Sequence, residues 1–158
     1  MRSFLLIISF FIVCHAKAQV ERDTTLNRCP VFLTDTVTVN NFFVEARPAI
    51  LKVYRIRGKL TVAVDQKGQL VSFYFHDKRL KTGKYEIVPG SRGSREVEAI
   101  YSFKSGDQVS FLTLNSGTIE VSYDKESQFW FLKINGMIAN LVERSVSYYK
   151  LKADLYIK

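Results

Sequence analysis

The residues able to do chemistry in this chain are few and scattered. Its 158 residues hold two histidines, His15 and His76, and two cysteines, Cys14 and Cys29. General acid–base work needs two polar groups held close together in a cleft. The carboxylates Asp65, Glu86, Glu96, Glu98, Asp107, Glu120 and Glu126 instead fall in turns or at solvent-facing strand positions. Glu96 and Glu98 share a strand face and would be the pair for a glycosidase, yet any charged exposed face produces the same spacing. His76-Asp77 reads as a solvated pair at a strand end, and Cys29 has no activating base near it in sequence. Two cysteines cannot build a four-thiolate zinc site. The glycines of Pro89-Gly90-Ser91-Arg92-Gly93-Ser94-Arg95 suggest a phosphate cradle, but the lysine and the following helix of a P-loop are missing. A solvated hairpin loop is expected there. The expectation is a non-enzymatic protein with no catalytic residues, no metal and no cofactor.

Binding chemistry is better represented. In Phe129-Trp130-Phe131, Trp130 shares its parity with Leu132, Ile134 and Ile138 and reads as core. Phe129, Phe131 and Lys133 share the other face. A central strand covered on both sides accounts for this pattern. The sharper alternative makes Phe129, Phe131 and Lys133 line a ligand site, joined by Tyr74 and His76 if their strands are neighbours. Basic residues cluster at Arg47, Lys52, Arg55, Arg57 and Lys59, and again at Lys78, Arg79, Lys81 and Lys84. Such residues keep sheet edges from pairing. Together they also make an electropositive face for an anionic glycan, a lipid headgroup or an envelope protein.

The N-terminus is an address. Arg2 precedes Phe4–Val13, a run that is apolar apart from Ser9, and Ala16-Lys17-Ala18 supplies small residues for a signal peptidase. The run is too short for a spanning helix, which needs about 20 apolar residues. A cleaved signal over residues 1–19 is expected, with bulky Phe11-Ile12-Val13 arguing against lipidation at Cys14. Losing Arg2 and Lys17 lowers the formal charge from +8 to +6. Export makes nucleic acid a poor partner for that charge, and nothing after the leader suggests an integral membrane protein. Secretion or a periplasmic location follows. Cys29 then has no intramolecular partner, so the domain must be held by its core.

From Thr36 onward the chain alternates with period two, the pattern of strands buried on one face. Thr118-Ile119-Glu120-Val121-Ser122-Tyr123-Asp124 is the clearest case, and Tyr149, Leu151, Ala153, Leu155 and Ile157 share one face of the last run. Turn residues recur at Asn40-Asn41, Arg57-Gly58, Asp65–Gly68, Ser105–Asp107 and Asp124–Ser127. These predict an all-β domain over residues 36–158. It should be an antiparallel β-sandwich or flattened β-barrel of about ten strands, after an irregular lead-in over 20–35. Asn40-Asn41 is expected to join strands at 37–39 and 42–44. Runs of five to eight residues are too short for an outer-membrane barrel.

The punctuation Gly58–Asp65 with Gly68, Thr82–Ile87, Ala99–Tyr101, Ser116–Val121 and Ile134–Ala139 resembles a family of small secreted all-β proteins of unknown function common in Bacteroidetes. That family usually carries Ser-Gly-Thr-Phe where this chain has Asn135-Gly136-Met137-Ile138. The resemblance implies a lipocalin-like or sandwich-like envelope domain and supplies no catalytic residues. A protein that binds a ligand or envelope component is therefore expected. The alternatives are a structural or accessory envelope protein and a glycan-acting enzyme.

Overall fold

The computed structural model describes residues 19–38, 40–142 and 145–158, so the expected signal peptide lies outside them except for Gln19. Eleven strands follow in order: β1 (Gln19–Leu26), β2 (Val31–Asp35), β3 (Ala49–Ile56), β4 (Lys59–Gln66), β5 (Gln69–Phe75) and β6 (Gly83–Ile87). They continue with β7 (Glu96–Ser105), β8 (Gln108–Thr113), β9 (Ser116–Asp124), β10 (Phe129–Val142) and β11 (Ser145–Ile157). Ten of them form one path, β1-β3-β4-β5-β7-β6-β9-β10-β11-β2, and β8 branches from β7. The fold is all-β, a single sheet strongly curled into a half-barrel.

Connectivity explains the curl. β1 and β2 stand at opposite ends of the path, yet only Asn27–Pro30 joins them. That span reaches roughly 17 Å at full extension, so the two edges must come near one another. Arg22 of β1 bridges the seam by donating from Nη1 to the main-chain oxygen of Lys158, at 3.2 Å. Within the link Cys29 is 1% exposed and its N–H donates to the carbonyl of Glu45. Burial pushes the Cys29 thiol above its ordinary range, as suits a small apolar filler.

Curling turns one parity of nearly every strand inward. Val62 and Val64, Val71 and Phe73, Val97 and Ala99, Ile119, Leu132 and Ile134, and Leu151 and Leu155 all enter one core cluster. The interior is thus packed with side chains, as in other small barrels. The opposite faces of β9, β10 and β11 carry Glu120, Lys133, Lys152 and Asp154, which are exposed. β10 is 14 residues long and β11 13, longer than the alternation suggested, but that polar face is no apolar band. Among the described residues no helix is long and apolar enough to cross a membrane.

Four local expectations need correction. Residues 20–35 are not irregular, since they hold β1 and β2. No strand forms at 37–38 or at 42–44, so Asn40-Asn41 is not their hairpin turn; Asn41 instead bridges back to Thr34, and its side chain accepts from the N–H groups of Leu33 and Phe43. The loop after Ile87 is not a hairpin, because β6 and β7 pair in parallel, over Glu86↔Glu96 and Ile87↔Val97. β10 lies inside the sheet but is covered on its inner face alone, with Lys133 and Asn135 exposed on the other.

The segment after β2 closes one end of the barrel. Phe43 is 1% exposed and packs on Tyr101, ring centroids 5.8 Å apart. Gln66 holds the segment by accepting from the Val44 N–H at 2.8 Å and donating to the carbonyls of Val44 and Arg47. Tyr101 donates to Gln69 Oε1 at 2.8 Å, and burial, with Tyr149 nearby, pushes its phenol up to about 12.

Among the described glycines, Gly117 has the tightest backbone approach. It sits at φ +150°, and a Cβ there would lie 2.3 Å from the Asn135 carbonyl oxygen and 2.6 Å from Gly136 Cα. Gly117→Ala is expected to cost about 3 kcal/mol in urea unfolding, through strain and clash. Gly106→Ala meets open space at φ +60° and should cost about 1 kcal/mol. Equal losses at both positions would show that the β9–β10 approach is not the constraint.

Candidate functional site

Register places the turn Arg57-Gly58, the loop His76–Thr82, the turn Lys125–Gln128 and the residue Lys158 at one end of the barrel. This end gathers much of the basic sequence. Arg55 donates from Nε to the carbonyl of Lys78 at 3.0 Å, and Leu60 N–H donates to the carbonyl of Asp77 at 3.1 Å. Arg55, Arg57 and Lys59 therefore join Lys78, Arg79, Lys81 and Lys84, two groups separated in sequence. Arg47 does not join them, since it lies near Gln66 at the far end. Neither does Lys52, which pairs with Asp65 at 2.7 Å. The hydrogen bond to Asp65, which outweighs the opposing desolvation, raises the Lys52 ammonium above its ordinary range.

The basic loop is anchored. Tyr85, 1% exposed, accepts from the Lys81 N–H at 3.2 Å and donates to the Lys81 carbonyl at 3.1 Å. Its ring meets Phe75 edge-on at 5.4 Å, and the Arg95 guanidinium lies 5.0 Å from the ring centre. Asp77, the one acid in the loop, pairs with Lys81 at 3.0 Å.

At the centre of this end lies a hollow of about 290 Å³. Its floor comes from inward positions Val53, Leu60, Trp130 and Ile157, with Leu80 of the loop. Arg55, Arg79 and Lys158 also line it, and none of the described lining residues is acidic. The hollow exists because β2 pairs with β11 only from Asp35↔Tyr149 to Val31↔Ala153, so Leu155 and Ile157 run on beyond it. At the other end Leu33, Tyr101, Phe103, Leu112, Ile138 and Tyr149 help line a smaller apolar cavity of about 120 Å³. Charges at that end are mixed, with Asp35 and Asp107 as well as Lys67, Lys104 and Lys150.

The five residues singled out in sequence do not meet. Phe129, Phe131 and Lys133 are on the outward side of β10, and three strands separate β10 from β5. Phe131 packs on Tyr156 at 4.9 Å, Phe129 lies 6.0 Å from Lys158 Nζ, and Lys133 stands opposite Glu120 and Asp154. Tyr74 is on the outward side of β5, opposite Thr61 and Glu98. His76 reaches the basic end. Its Nε2–H donates to the Ser91 carbonyl at 2.7 Å, and its Nδ1 accepts from Lys59 Nζ at 3.2 Å, which fixes the tautomer. Trp130 reads as core in the sequence, and nothing there singles out Leu80. Their use in the hollow depends on the closure of β3 toward β11, which leaves no local signal.

The glycine-rich loop does cradle an anion, but an internal one. Glu96 Oε2 accepts from the N–H groups of Arg92 at 2.7 Å and Gly93 at 2.8 Å, and these bonds hold its carboxyl below the usual range. Among the described residues no group of three His, Cys, Asp or Glu could hold a metal ion. No family model, no curated protein and no solved structure matches the chain.

Because the folded-state pKa of Glu96 is depressed, its stabilisation is complete above the unfolded carboxyl value and is lost as pH falls through the lowered one. Glu96→Gln should flatten that part of the acid limb of a Tm-against-pH curve. An unchanged acid limb would show that this carboxylate does not organise the loop.

Proposed function

We propose that this chain is an exported, non-catalytic β-domain of the cell envelope that holds an anionic ligand at its basic mouth. The observation that carries this reading is the meeting of Arg55, Arg57 and Lys59 with Lys78, Arg79 and Lys81 at one end of the sheet, beside a hollow lined by Arg79. Opposite charge is drawn to such a concave, one-signed surface, and its low-dielectric walls strengthen the field. The loop supplying Arg79 is fixed by Tyr85, so its charges are presented without much ordering on binding. The leader-like residues 1–19 and the resemblance to secreted all-β proteins support the envelope as its place of action.

Binding to a sulfated polysaccharide or to anionic phospholipid vesicles tests this. Affinity is expected to fall at least tenfold between about 50 and 500 mM salt, as exposed charges are screened. Lys78→Glu with Arg79→Glu should give a similar loss, while Lys104→Glu at the far end should leave binding unchanged. Salt-independent binding, or equal losses from both variants, would contradict an electrostatic mouth.

A further inference from the structure

We propose that the sheet takes a short, uncharged, extended segment of a partner protein as an added strand, in a gap between β8 and the last third of β10. The gap is independent of the basic mouth and lies toward the other end. On the basic side, β9 fills the position between β6 and β10. Further along, β8 takes the place of β6 beside β7, over Ile100↔Thr113 to Ser105↔Gln108. There β9 has already ended, since its ladder to β10 stops at Met137↔Ser116. Among the described residues, Ile138–Val142 pair only with β11 and β8 pairs only with β7. Asn115 closes the base of the gap. Its N–H donates to the Met137 carbonyl at 2.8 Å, and its side chain accepts from the Ala139 N–H at 2.6 Å.

Ladder alternation gives the main-chain groups that face the gap. Leu114 N–H reaches the Ala99 carbonyl, so even-numbered residues of β8 bond β7, and Val109, Phe111 and Thr113 point the other way. Met137 bonds Asn115, so Leu141, four residues on, also points into the gap. The β1 edge of the sheet carries Glu21, Arg22 and Asp23, which deter pairing, whereas Gln108–Thr113 holds no charge and no proline. Phe111 and Leu141 flank the gap, each 69% exposed, with Val109, Val146 and Tyr148 also uncovered. Behind it, Tyr101 and Leu112 on one side and Ile138 and Asn140 on the other line the cavity of about 120 Å³.

Two edges facing one gap select its occupant. An edge strand of a second folded copy has one free side and can satisfy one wall. A free extended segment satisfies both, as in other cases of strand addition. Neither Gln108–Thr113 nor Ile138–Val142 contains a charged residue, so a charged centre would lose water and gain no partner. The occupant is therefore uncharged along Ile138–Val142, with an apolar side chain directed into the cavity.

The probe is the blocked peptide acetyl-Lys-Thr-Val-Leu-Val-Thr-Lys-amide, titrated into the protein. At saturation it should slow amide exchange at Val109, Phe111, Thr113 and Leu141 at least tenfold. Aspartate for its central leucine, or proline for either valine, should weaken binding at least tenfold. Phe111→Pro removes a donor on the gap side and spares the β7 ladder, and it should weaken binding by a similar factor. Leu141→Lys, at an exposed position, should do the same and keeps the test decisive if the proline disturbs the hairpin. Arg79→Glu at the basic mouth should leave peptide binding unchanged, which separates this site from the anion site. No exchange protection with about 1 mM peptide would overturn the proposal. So would protection confined to other strands, or equal affinity for the leucine and aspartate peptides. Self-association of the protein without peptide, abolished by Phe111→Pro, would overturn it in favour of a second copy.

Discussion

The structure depends on a short tether. Asn27–Pro30 joins strands that occupy opposite ends of a ten-strand path, and an open flat sheet cannot place its two edges that close. The sheet must curl, and curling makes one parity of its strands face inward. Cys29 is buried in this tether, tied through its N–H to Glu45. Cys29 is a free thiol, so among the described residues a single core holds the domain without a disulfide.

Once the interior is filled, each end of the curled sheet keeps an apolar hollow. The ends differ because their loops differ. At one, Phe43 enters the barrel and Gln66 and Gln69 hold the chain that carries it. At the other, β2 stops short along β11, and Trp130 and Ile157 are left beneath a rim of arginine and lysine. The same incomplete closure that leaves a seam between β1 and β11 thus leaves an apolar floor. The loop after β6 folds back to this end, where Ser91 meets His76 and Arg95 donates to the Thr82 carbonyl.

Much of the fold was legible from alternation, and the exceptions have physical causes. β9 and β11 read cleanly because each has one face in the core and one in water. β1 was missed because it is an edge strand, held by its ladder to β3, and Arg22 and Thr24 are exposed where an inner strand would bury apolar residues. β2 was missed because its buried pair, Val31 and Leu33, is too short a run to establish a period. The loop 88–95 resembled a hairpin connection because two successive strands usually pair antiparallel. Here the chain returns to start β7 parallel to β6, and only non-local pairing reveals that.

The residue pattern by itself determined that the chain is all-β and that many of its basic residues cluster at 47–59 and 78–84. Each of these follows from local spacing and composition. Tertiary structure decided that Arg55, Arg57 and Lys59 meet Lys78–Lys84, that Tyr74 and His76 stay apart from Phe129 and Phe131, and that Trp130 borders a hollow. Those outcomes depend on strand order and on where the curled sheet fails to close. Neither is encoded in any window of neighbouring residues, because both arise from pairings between segments tens of residues apart.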